Sequence, residues 1–479
     1  MIVGSSSGCA GVRSGAPGAA SLNPQQAEVG PINFAFRVDA SLQRLHARLC
    51  FEGAPAAWLK PQANEAWRAL KGAWALRGGQ REPLTRSGGA IALVGLKAGD
   101  CVELEQDLRA LASAARGRPD TFAAEGVLAL SPDYWLWATS PQSASMRATF
   151  EMPEGLGVAV PWPVEGAGAY RIPPSALRWR SHAAFGRFDE ATIEVAGGRL
   201  RVVILADAWA IGRPRLRAWV QQAAEAAALL DGRFPVDDLL VLITPVGGDE
   251  VGFGTVARGG GPSVLLEVGV DIDERELEGD WVAPHELIHL NLPRIDGADP
   301  WLYEGFATYY EPVLRARMGD LSPRRAWERL HDGFLRGAGS GTGRALRDES
   351  AAMMETYAFW RVYWAGAALM LMADVSLRQA GGDPGSLDAQ LGRVRACCQD
   401  PDRGWTAEAL LEAVAAPDAP DLRAAAGRWL DARRFPDLGA TYEALGLRFD
   451  AGGRLLTRPG DPGAALRIAI MGRDVDEAP

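Results

Sequence analysis

Two histidines and a glutamate stand in the spacing H-E-x-x-H at His285, Glu286 and His289. Residues four apart on an α-helix lie on the same face, so both imidazoles can reach a single metal ion. Glu286 follows the first histidine, where its carboxylate can take a proton from a water molecule on that ion. The spacing therefore predicts a helix that carries a metal site suited to hydrolysis.

A third ligand is available in Glu304, which follows His289 after room for a turn and the start of a second helix. Two histidines and one carboxylate leave a position open on a tetrahedral zinc ion, as in catalytic sites. The alternative is an ordinary helix with two unrelated histidines. Only five histidines occur in the chain, and Glu304 lies in the aromatic, helix-like run WLYEGFATYYE, so we favour the metal site.

The run HELIHLNLP, followed by WLYEGFATYYEPVLRAR, resembles the gluzincin metallopeptidases, first the glycyl aminopeptidase family and then the alanyl aminopeptidase family. The resemblance implies that His285, His289 and Glu304 hold Zn²⁺ and that Glu286 is the general base. A second similar segment begins at Tyr363 and continues Trp-Ala-Gly-Ala. It implies that Tyr363 donates a hydrogen bond to the oxyanion, with Tyr357 as the alternative donor.

The sequence departs from these families in three places. The loop between Pro293 and Pro300 is shorter than theirs, and the chain after Phe435 is too short for the PDZ domain that the glycyl aminopeptidase family often carries. Those families also have a glycine-rich segment whose glutamate holds the α-amine of the substrate. The equivalent segment, 252–261, contains no acidic residue, and the next one is Glu267. Endopeptidase and exopeptidase action therefore both stay open.

The length of 479 residues predicts two or three domains. We predict an α+β protein in which a flexible leader (1–30) precedes an antiparallel β-domain (31–175). A thermolysin-like zinc domain with a small sheet and a helical half (176–385) and a mainly helical C-terminal region (386–479) follow. The alternating and apolar runs that support this division are typical of strands before about residue 270, apart from a predicted helix at Pro214–Leu230, and of helices after Glu304.

Three apolar runs in the zinc domain predict strands at Leu200–Ala206, Leu239–Thr244 and 264–268. The resemblance implies that the third of these strands borders the cleft and pairs with extended substrate. Near the C-terminus, the run 466–470 predicts a further short strand. The charged surroundings of His331 predict an exposed side chain.

Composition excludes two classes of protein. The net charge of −10 argues against general nucleic-acid binding, which requires a basic surface. No run of eighteen apolar residues occurs, so no transmembrane helix is expected.

The cysteines bear on location. The sequence Ser6-Ser7-Gly8-Cys9 is similar to the end of a bacterial lipoprotein signal, which predicts a lipid anchor on Cys9 and a periplasmic or membrane-anchored protein. A cytosolic chain with a disordered tail is the alternative, because no basic start or apolar stretch precedes Cys9. Cys50 and Cys101 lie in segments with strand-like sequence patterns. They are either joined in a disulfide or present as two buried thiols, and we favour the thiols.

These patterns together predict a zinc metallopeptidase that hydrolyses peptide bonds in a peptide or protein substrate, with a zinc-held water activated by Glu286. Two other functions fit the same residues. One is a binding or scaffold protein on a gluzincin frame without turnover, and the other is a zinc hydrolase of small molecules.

Overall fold

A computed structural model describes residues 29–475 of the chain, except for 119, 144, 167, 207, 382–384, 416–419 and 457–459. The predicted leader and the predicted lipid anchor at Cys9 lie outside the described residues. No helix in the part that is described is long and apolar enough to cross a bilayer.

The first part of the chain is built of three β-sheets, with the strand orders β14-β12-β1-β2-β8-β4-β5, β13-β15-β10-β9 and β11-β3-β7-β6. Their strands are β1 Ile32–Val38, β2 Arg44–Phe51, β3 Trp58–Pro61, β4 Leu70–Arg77, β5 Gln80–Pro83, β6 Arg86–Ser87, β7 Ala90–Ala92, β8 Cys101–Asp107, β9 Thr121–Ala124, β10 Val127–Leu130, β11 Trp137–Ser140, β12 Met146–Glu151, β13 Gly157–Ala159, β14 Ala169–Arg171 and β15 Ala184–Gly186. Two short helices, α1 Asn64–Ala69 and α2 Leu108–Ala114, lie among them. The pairing is antiparallel as predicted, except that β1 and β12 run parallel.

Strand β1 shows why these segments form sheets. Alternate side chains from Ile32 to Val38 are buried, which is the period of a strand with one face on a core. Neighbouring β2 and β8 bring Cys50 directly opposite Cys101, and the two form a disulfide. The favoured expectation of two free thiols was therefore wrong, because it considered each strand alone and not their register.

A five-stranded sheet of order β16-β17-β18-β20-β19 follows, with β16 Asp189–Val195, β17 Gly198–Ile204, β18 Asp238–Val246, β19 Val251–Ala257 and β20 Ser263–Gly269. The β17–β18 and β18–β20 pairs are parallel, and the β19–β20 pair is antiparallel. The chain passes from the sheets of the β-domain to this sheet between Gly186 and Asp189. The domain boundaries drawn from the sequence stay a prediction. One face of this sheet packs on β10 and β15 of the β-domain and the other on helices.

The helices complete the second half of the molecule. They are α3 Arg213–Ala228, α4 Glu274–Gly279, α5 Val282–Ile288, α6 Pro300–Met318, α7 Pro323–Ala338, α8 Leu346–Ala351, α9 Met353–Thr356, α10 Phe359–Gly381, α11 Leu387–Cys398, α12 Ala407–Ala413, α13 Leu422–Leu430, α14 Gly439–Leu445 and α15 Ala464–Met471. A two-stranded ribbon, β21 Arg448–Phe449 and β22 Leu455–Leu456, lies between α14 and α15. The predicted α+β architecture, a β-domain followed by a small sheet and helices, is confirmed.

Helices α6 and α10 cross in close backbone contact. A Cβ atom on Gly305 would stand 2.4 Å from Gly366 Cα, and one on Gly366 would stand 2.0 Å from Trp301 O. Glycine at both positions lets the two backbones meet. This contact fixes α10, and with it Tyr363, against the helix that carries Glu304.

Two predicted details were wrong. The run 466–470 is part of helix α15, whose buried residues Arg467, Ile470 and Met471 follow helical spacing. His331 is half-buried, because its ring stacks on Phe449 at 3.8 Å and its Nδ1 lies 3.0 Å from the Tyr442 hydroxyl.

Candidate metal centre and active site

Helix α5 presents His285 and Glu286, and the turn that continues it presents His289. The start of the helix is held by Asp280, whose carboxylate accepts hydrogen bonds from the backbone N–H groups of Val282 (2.8 Å) and Ala283 (3.0 Å). An acidic side chain in this position satisfies free N–H groups and favours the helix dipole. Asp280 was not singled out in the sequence, although an aspartate just before a helix is a recognisable capping signal.

The three predicted ligands converge. Glu304 Oε2 lies 3.3 Å from His285 Nε2 and 3.4 Å from His289 Nε2. One ligand atom from each residue lies within 4.8 Å of the other two. Both histidines are buried, at 3% and 2% exposure. Two buried imidazoles and one partly buried carboxylate meet at one point, and this donor set fits a zinc ion.

Charge in the cluster also suits a cation. Burial opposes ionisation of Glu304, but His289 and His285 outweigh it and hold the pKa of this carboxyl below its usual range. Burial lowers the pKa of His289 to about 4, so the imidazole is neutral near pH 7. Burial opposes protonation of His285, but the hydrogen bond to Glu304 outweighs it and raises the pKa of this imidazole. A charged carboxylate and neutral imidazoles are the forms that bind metal, so His285 would release its proton when a metal binds.

Glu286 lies between the metal cluster and the edge strand β19. The backbone N–H of Val256 donates to its carboxylate, and burial is the main reason that its pKa is raised to about 7. A Cβ atom on Gly254 would stand 2.6 Å from Glu286 Cγ and 2.7 Å from Val282 Cγ1. Gly254 therefore leaves the space that the Glu286 side chain occupies.

Two tyrosine rings flank the histidines. The Tyr363 ring lies parallel to His285 with centroids 6.1 Å apart, and the Tyr303 ring stacks on His289 at 3.8 Å. Burial first, and then the charges of Glu304 and Glu286, raise the pKa of Tyr363, which keeps its hydroxyl protonated as a donor. Tyr357, the alternative donor, is 75% exposed and packs on Phe359. The structure therefore brings Tyr363 to the cluster.

The strand at the edge of the cleft differs from the prediction. The segment 264–268 lies in β20, between β18 and β19, and so has no free edge. The edge strand is β19, which contains the first glycines of the segment 252–261. Glu267 pairs with Phe253 across the two strands and is half-buried. A strand covered on both sides reads as continuously apolar, and this signal could have placed β20 in the sheet interior.

Arg258 was missed by the sequence analysis. It directly follows β19, and its Nη2 donates to the backbone carbonyls of His289 (2.9 Å) and Leu292 (2.7 Å). The same guanidinium hydrogen-bonds the hydroxyl of Tyr303. Arg258 therefore ties the edge strand to the end of the metal-binding segment and brings a positive charge beside it.

No protein-family model matches the chain, and no curated protein matches it significantly in sequence. Solved structures do match. An aminopeptidase N family protein from Idiomarina loihiensis has a TM-score of 0.67 at 14% identity, over 90% of this chain and 82% of that one.

Two further solved structures are similar. An M1 zinc metallopeptidase from Deinococcus radiodurans has a TM-score of 0.53 at 16% identity, over 86% of this chain and 95% of that one. Native LTA4 hydrolase from yeast has a TM-score of 0.51 at 11% identity, over 88% and 71%. The chain therefore has the fold of the M1 zinc metallopeptidases. The gluzincin resemblance is confirmed at the level of the fold.

Proposed function

We propose that this protein is a zinc-dependent peptidase. The observation that carries the proposal is the convergence of His285, His289 and Glu304 on one point, with Glu286 and Tyr363 beside it. The similar Deinococcus metallopeptidase has been solved, as a variant, with the peptide Tyr-Ser-Ala as its substrate. A scaffold protein would have no use for a carboxylate placed next to the metal ligands.

The roles of the residues follow from their positions. A zinc ion held by the three ligands would supply Lewis-acid activation of water and of the substrate carbonyl. Glu286, with a pKa raised to about 7, takes the proton of the attacking water and passes it to the leaving amine. The hydroxyl of Tyr363 donates a hydrogen bond to the developing oxyanion. Such a donor typically lowers the barrier by about 3–4 kcal/mol.

Backbone contacts would orient the substrate. Strand β19 has one neighbouring strand, β20, and no strand pairs with its other edge within the described sheet, where the Val256 N–H donates to Glu286. An extended peptide can add to such an edge through main-chain hydrogen bonds, which makes recognition independent of side chains. The substrate strand would then lie along the segment that contacts Glu286.

Recognition of a free amine is disfavoured by the charge beside the cluster. Arg258 lies at the end of β19 and hydrogen-bonds the backbone of His289, where its guanidinium repels an ammonium group. We infer that cleavage does not depend on a free N-terminus and that the protein acts as an endopeptidase.

The test is cleavage of a quenched fluorescent peptide library by the purified protein. Activity should disappear with a chelator and return when zinc is restored. A zinc-loaded protein that cleaves no peptide but hydrolyses small esters or amides would support the small-molecule hydrolase instead. A zinc-loaded protein with no hydrolysis at all would support the scaffold.

We also infer that the protein works outside the cytoplasm. The disulfide between Cys50 and Cys101 supports this, because such bonds persist in oxidising compartments. The lipid anchor at Cys9 stays a proposal that rests on sequence alone. Fractionation of the native host, with metabolic labelling by a lipid precursor, tests both; a cytoplasmic, unlabelled protein would contradict them.

A further inference from the structure

A cavity of about 570 Å³ lies where the β-domain meets the five-stranded sheet and the helical part of the molecule. Its walls come from segments that are distant in the sequence, among them the β-domain around Trp162, the end of strand β19 with Arg258, and the loop 399–402 after helix α11. None of the three metal ligands lines it. The cavity is therefore separate from the metal cluster, and no step of the proposed hydrolysis uses it.

Most charged side chains on these walls have a partner of opposite charge. They form the pairs Arg171–Glu165, Arg199–Asp238, Arg201–Glu190, Arg233–Asp237 and Arg178–Asp402. Two arginines on the walls, Arg258 and Arg294, form no ion pair within the described part of the chain, against a single acidic wall residue without one, the exposed Asp400. Asp296 lies near Arg294 but is exposed and beyond ion-pair distance. The walls therefore carry an excess of unpaired positive charge.

The two unpaired guanidinium groups are held in place by other contacts. Arg258 Nη2 donates to the backbone carbonyls of His289 and Leu292. Arg294 lies over the ring of Trp179, with 4.8 Å between its guanidinium carbon and the ring centroid, and its Nε has no partner among the described residues. Burial lowers the pKa of Arg294, and the nearby charge of Arg258 acts in the same direction. Two half-buried cations that repel each other are costly, and an anion beside both would offset that cost.

An uncharged donor on the same walls is also unpaired. Trp162 is 2% exposed, and its indole N–H forms no hydrogen bond within the part of the chain that is described. Gly260 leaves room beside it, because a Cβ atom there would stand 2.6 Å from Trp162 Nε1. Buried donors are normally satisfied by protein, water or ligand. Guanidinium and indole groups only donate, so the set as a whole suits a ligand that is rich in acceptor oxygens.

We propose that this cavity binds a small organic oxyanion, whose phosphate or carboxylate group lies between Arg258 and Arg294. The planar guanidinium fork matches two oxygens of either group and forms charge-assisted hydrogen bonds with them. The cavity volume is within the range of small-molecule sites, about 300–1,000 Å³, and leaves room for the rest of the ligand. The inference goes beyond the proposed peptidase function and does not depend on it.

The experiment is calorimetry on the zinc-loaded protein at constant ionic strength, with glycerol 3-phosphate, succinate and inorganic phosphate as probes. At least one of the two organic anions should bind once per chain, more tightly than inorganic phosphate, and should raise Tm, since a ligand of the folded state stabilises it. The tighter of the two identifies the group that the arginines hold.

Arg294→Gln removes one guanidinium and should weaken binding of that anion by about 10- to 100-fold, the effect of hydrogen bonds to a charged group. Arg294→Lys keeps the charge without the fork, so its affinity should lie between those of the unmodified protein and Arg294→Gln. Zinc content and circular dichroism check that both variants are folded. An anion bound to the zinc ion itself would be insensitive to either substitution.

Arg434→Gln is the matched control. Arg434 also lies over a tryptophan ring, with 5.5 Å between its guanidinium carbon and the centroid of Trp429, but it is not on the cavity wall. Its substitution removes the same charge from the protein and should leave the affinity for the anion unchanged. A loss of affinity specific to position 294 therefore reports the cavity and not the net charge.

The outcomes separate this inference from the proposed function. No binding of either organic anion at millimolar concentration, or binding that Arg294→Gln leaves unchanged, would overturn the anion site while the peptidase stands. Peptide cleavage is measured independently, so its absence from zinc-loaded protein would overturn the peptidase and leave the anion site intact.

Discussion

The two walls of the cleft beside the metal cluster differ in chemistry, and in the proposed peptidase they would recognise substrate by different means. On one side, strand β19 offers backbone, glycine and small side chains against Glu286, with Gly254 in direct contact. On the other side, helices α6, α7 and α10 offer bulky side chains, among them Trp360 and Trp364. In the proposed peptidase, the strand wall would hold any extended peptide, whereas the helix wall would discriminate among side chains. The two walls meet at His285 and Glu286, where we propose that catalysis takes place.

The largest effect on turnover should come from substitution of Glu286, which lies where the two walls meet. Glu286→Gln removes the base and leaves the ligands, so the protein should keep zinc and fold while kcat falls by about 10²- to 10⁴-fold. Metal analysis, circular dichroism and peptide cleavage measure the three properties. A variant that retains most of its turnover would show that another group moves the proton.

On the helix wall, Tyr363→Phe should lower kcat by about 10²- to 10³-fold and change KM little, because the hydrogen bond forms mainly in the transition state. Tyr357→Phe is the control, since that side chain is 75% exposed. Equal rates for Tyr363→Phe and the unmodified enzyme would show that another group donates the hydrogen bond to the oxyanion.

On the strand wall, Gly254→Ala should lower kcat by about 10²-fold, the effect typical of displacing a catalytic group by about 1 Å. The new Cβ atom would stand 2.6 Å from Glu286 Cγ, so the carboxylate must move. Gly252→Ala is the matched control on the same strand, since its Cβ atom would meet only Val246 Cγ2, at 3.9 Å. Steady-state kinetics on one peptide compare the two, and a Gly254→Ala enzyme as active as Gly252→Ala would mean that the strand does not position the base.

The sequence and the structure agree best where chemistry follows helical spacing. His285 and His289 are four apart, so local geometry predicted that their side chains share one face. The approach of Glu304 from the next long helix followed from the family resemblance and not from spacing alone. The edge strand was not predictable in this way, because strand order depends on which long-range pairs form. The contact of Gly254 with Glu286 and the tie from Arg258 to His289 join segments about thirty residues apart, and no local pattern shows them.

Short apolar runs mark a second limit of the sequence. The residues 466–470 satisfy both a strand and a helix pattern, and only their packing in α15 decides between them. The disulfide between Cys50 and Cys101 depended likewise on the register of β2 and β8. In each case the local structure depends on a contact with residues that are distant in the sequence.

The strand wall should also weaken in acid. His182 is buried, its Nε2 lies 3.2 Å from the backbone carbonyl of Thr255 in β19, and its Nδ1 has no partner among the described residues. Burial, together with the charge of Arg180, outweighs the opposing hydrogen bond to Thr255 and lowers its pKa to about 4. In the unfolded chain the imidazole has a pKa of about 6.5. The stability that neutral His182 contributes is therefore present above pH 6.5 and is lost as the pH falls toward 4.

Between pH 7.5 and pH 5, this histidine should therefore reduce the free energy of unfolding by about 2 kcal/mol. Denaturant titrations of the zinc-loaded protein at both pH values measure the loss. His182→Gln should show a smaller loss than the unmodified protein. His46→Gln is the comparison for a half-buried histidine of the β-domain whose pKa burial also lowers. Identical pH dependence in all three would remove His182 from the account.

The smallest effect concerns the N-terminus of the substrate. Because Arg258 places a positive charge beside the cluster, acetylation of a peptide's N-terminus should change kcat/KM by less than about 3-fold, the size of a weak exposed charge interaction. A series of paired free and acetylated peptides of increasing length provides the measurement. A strong preference for the free amine would show that an acidic group reaches the cleft and that the protein is an exopeptidase.

The central claim is that His285, His289 and Glu304 hold one zinc ion, and metal content tests it most directly. Purified protein should contain about one zinc per chain. His289→Ala should lose nearly all of it after dialysis against a weak chelator, while His46→Ala, which alters a histidine of strand β2, should retain it. Undiminished zinc in His289→Ala, or the absence of zinc binding by the unmodified protein, would contradict the account.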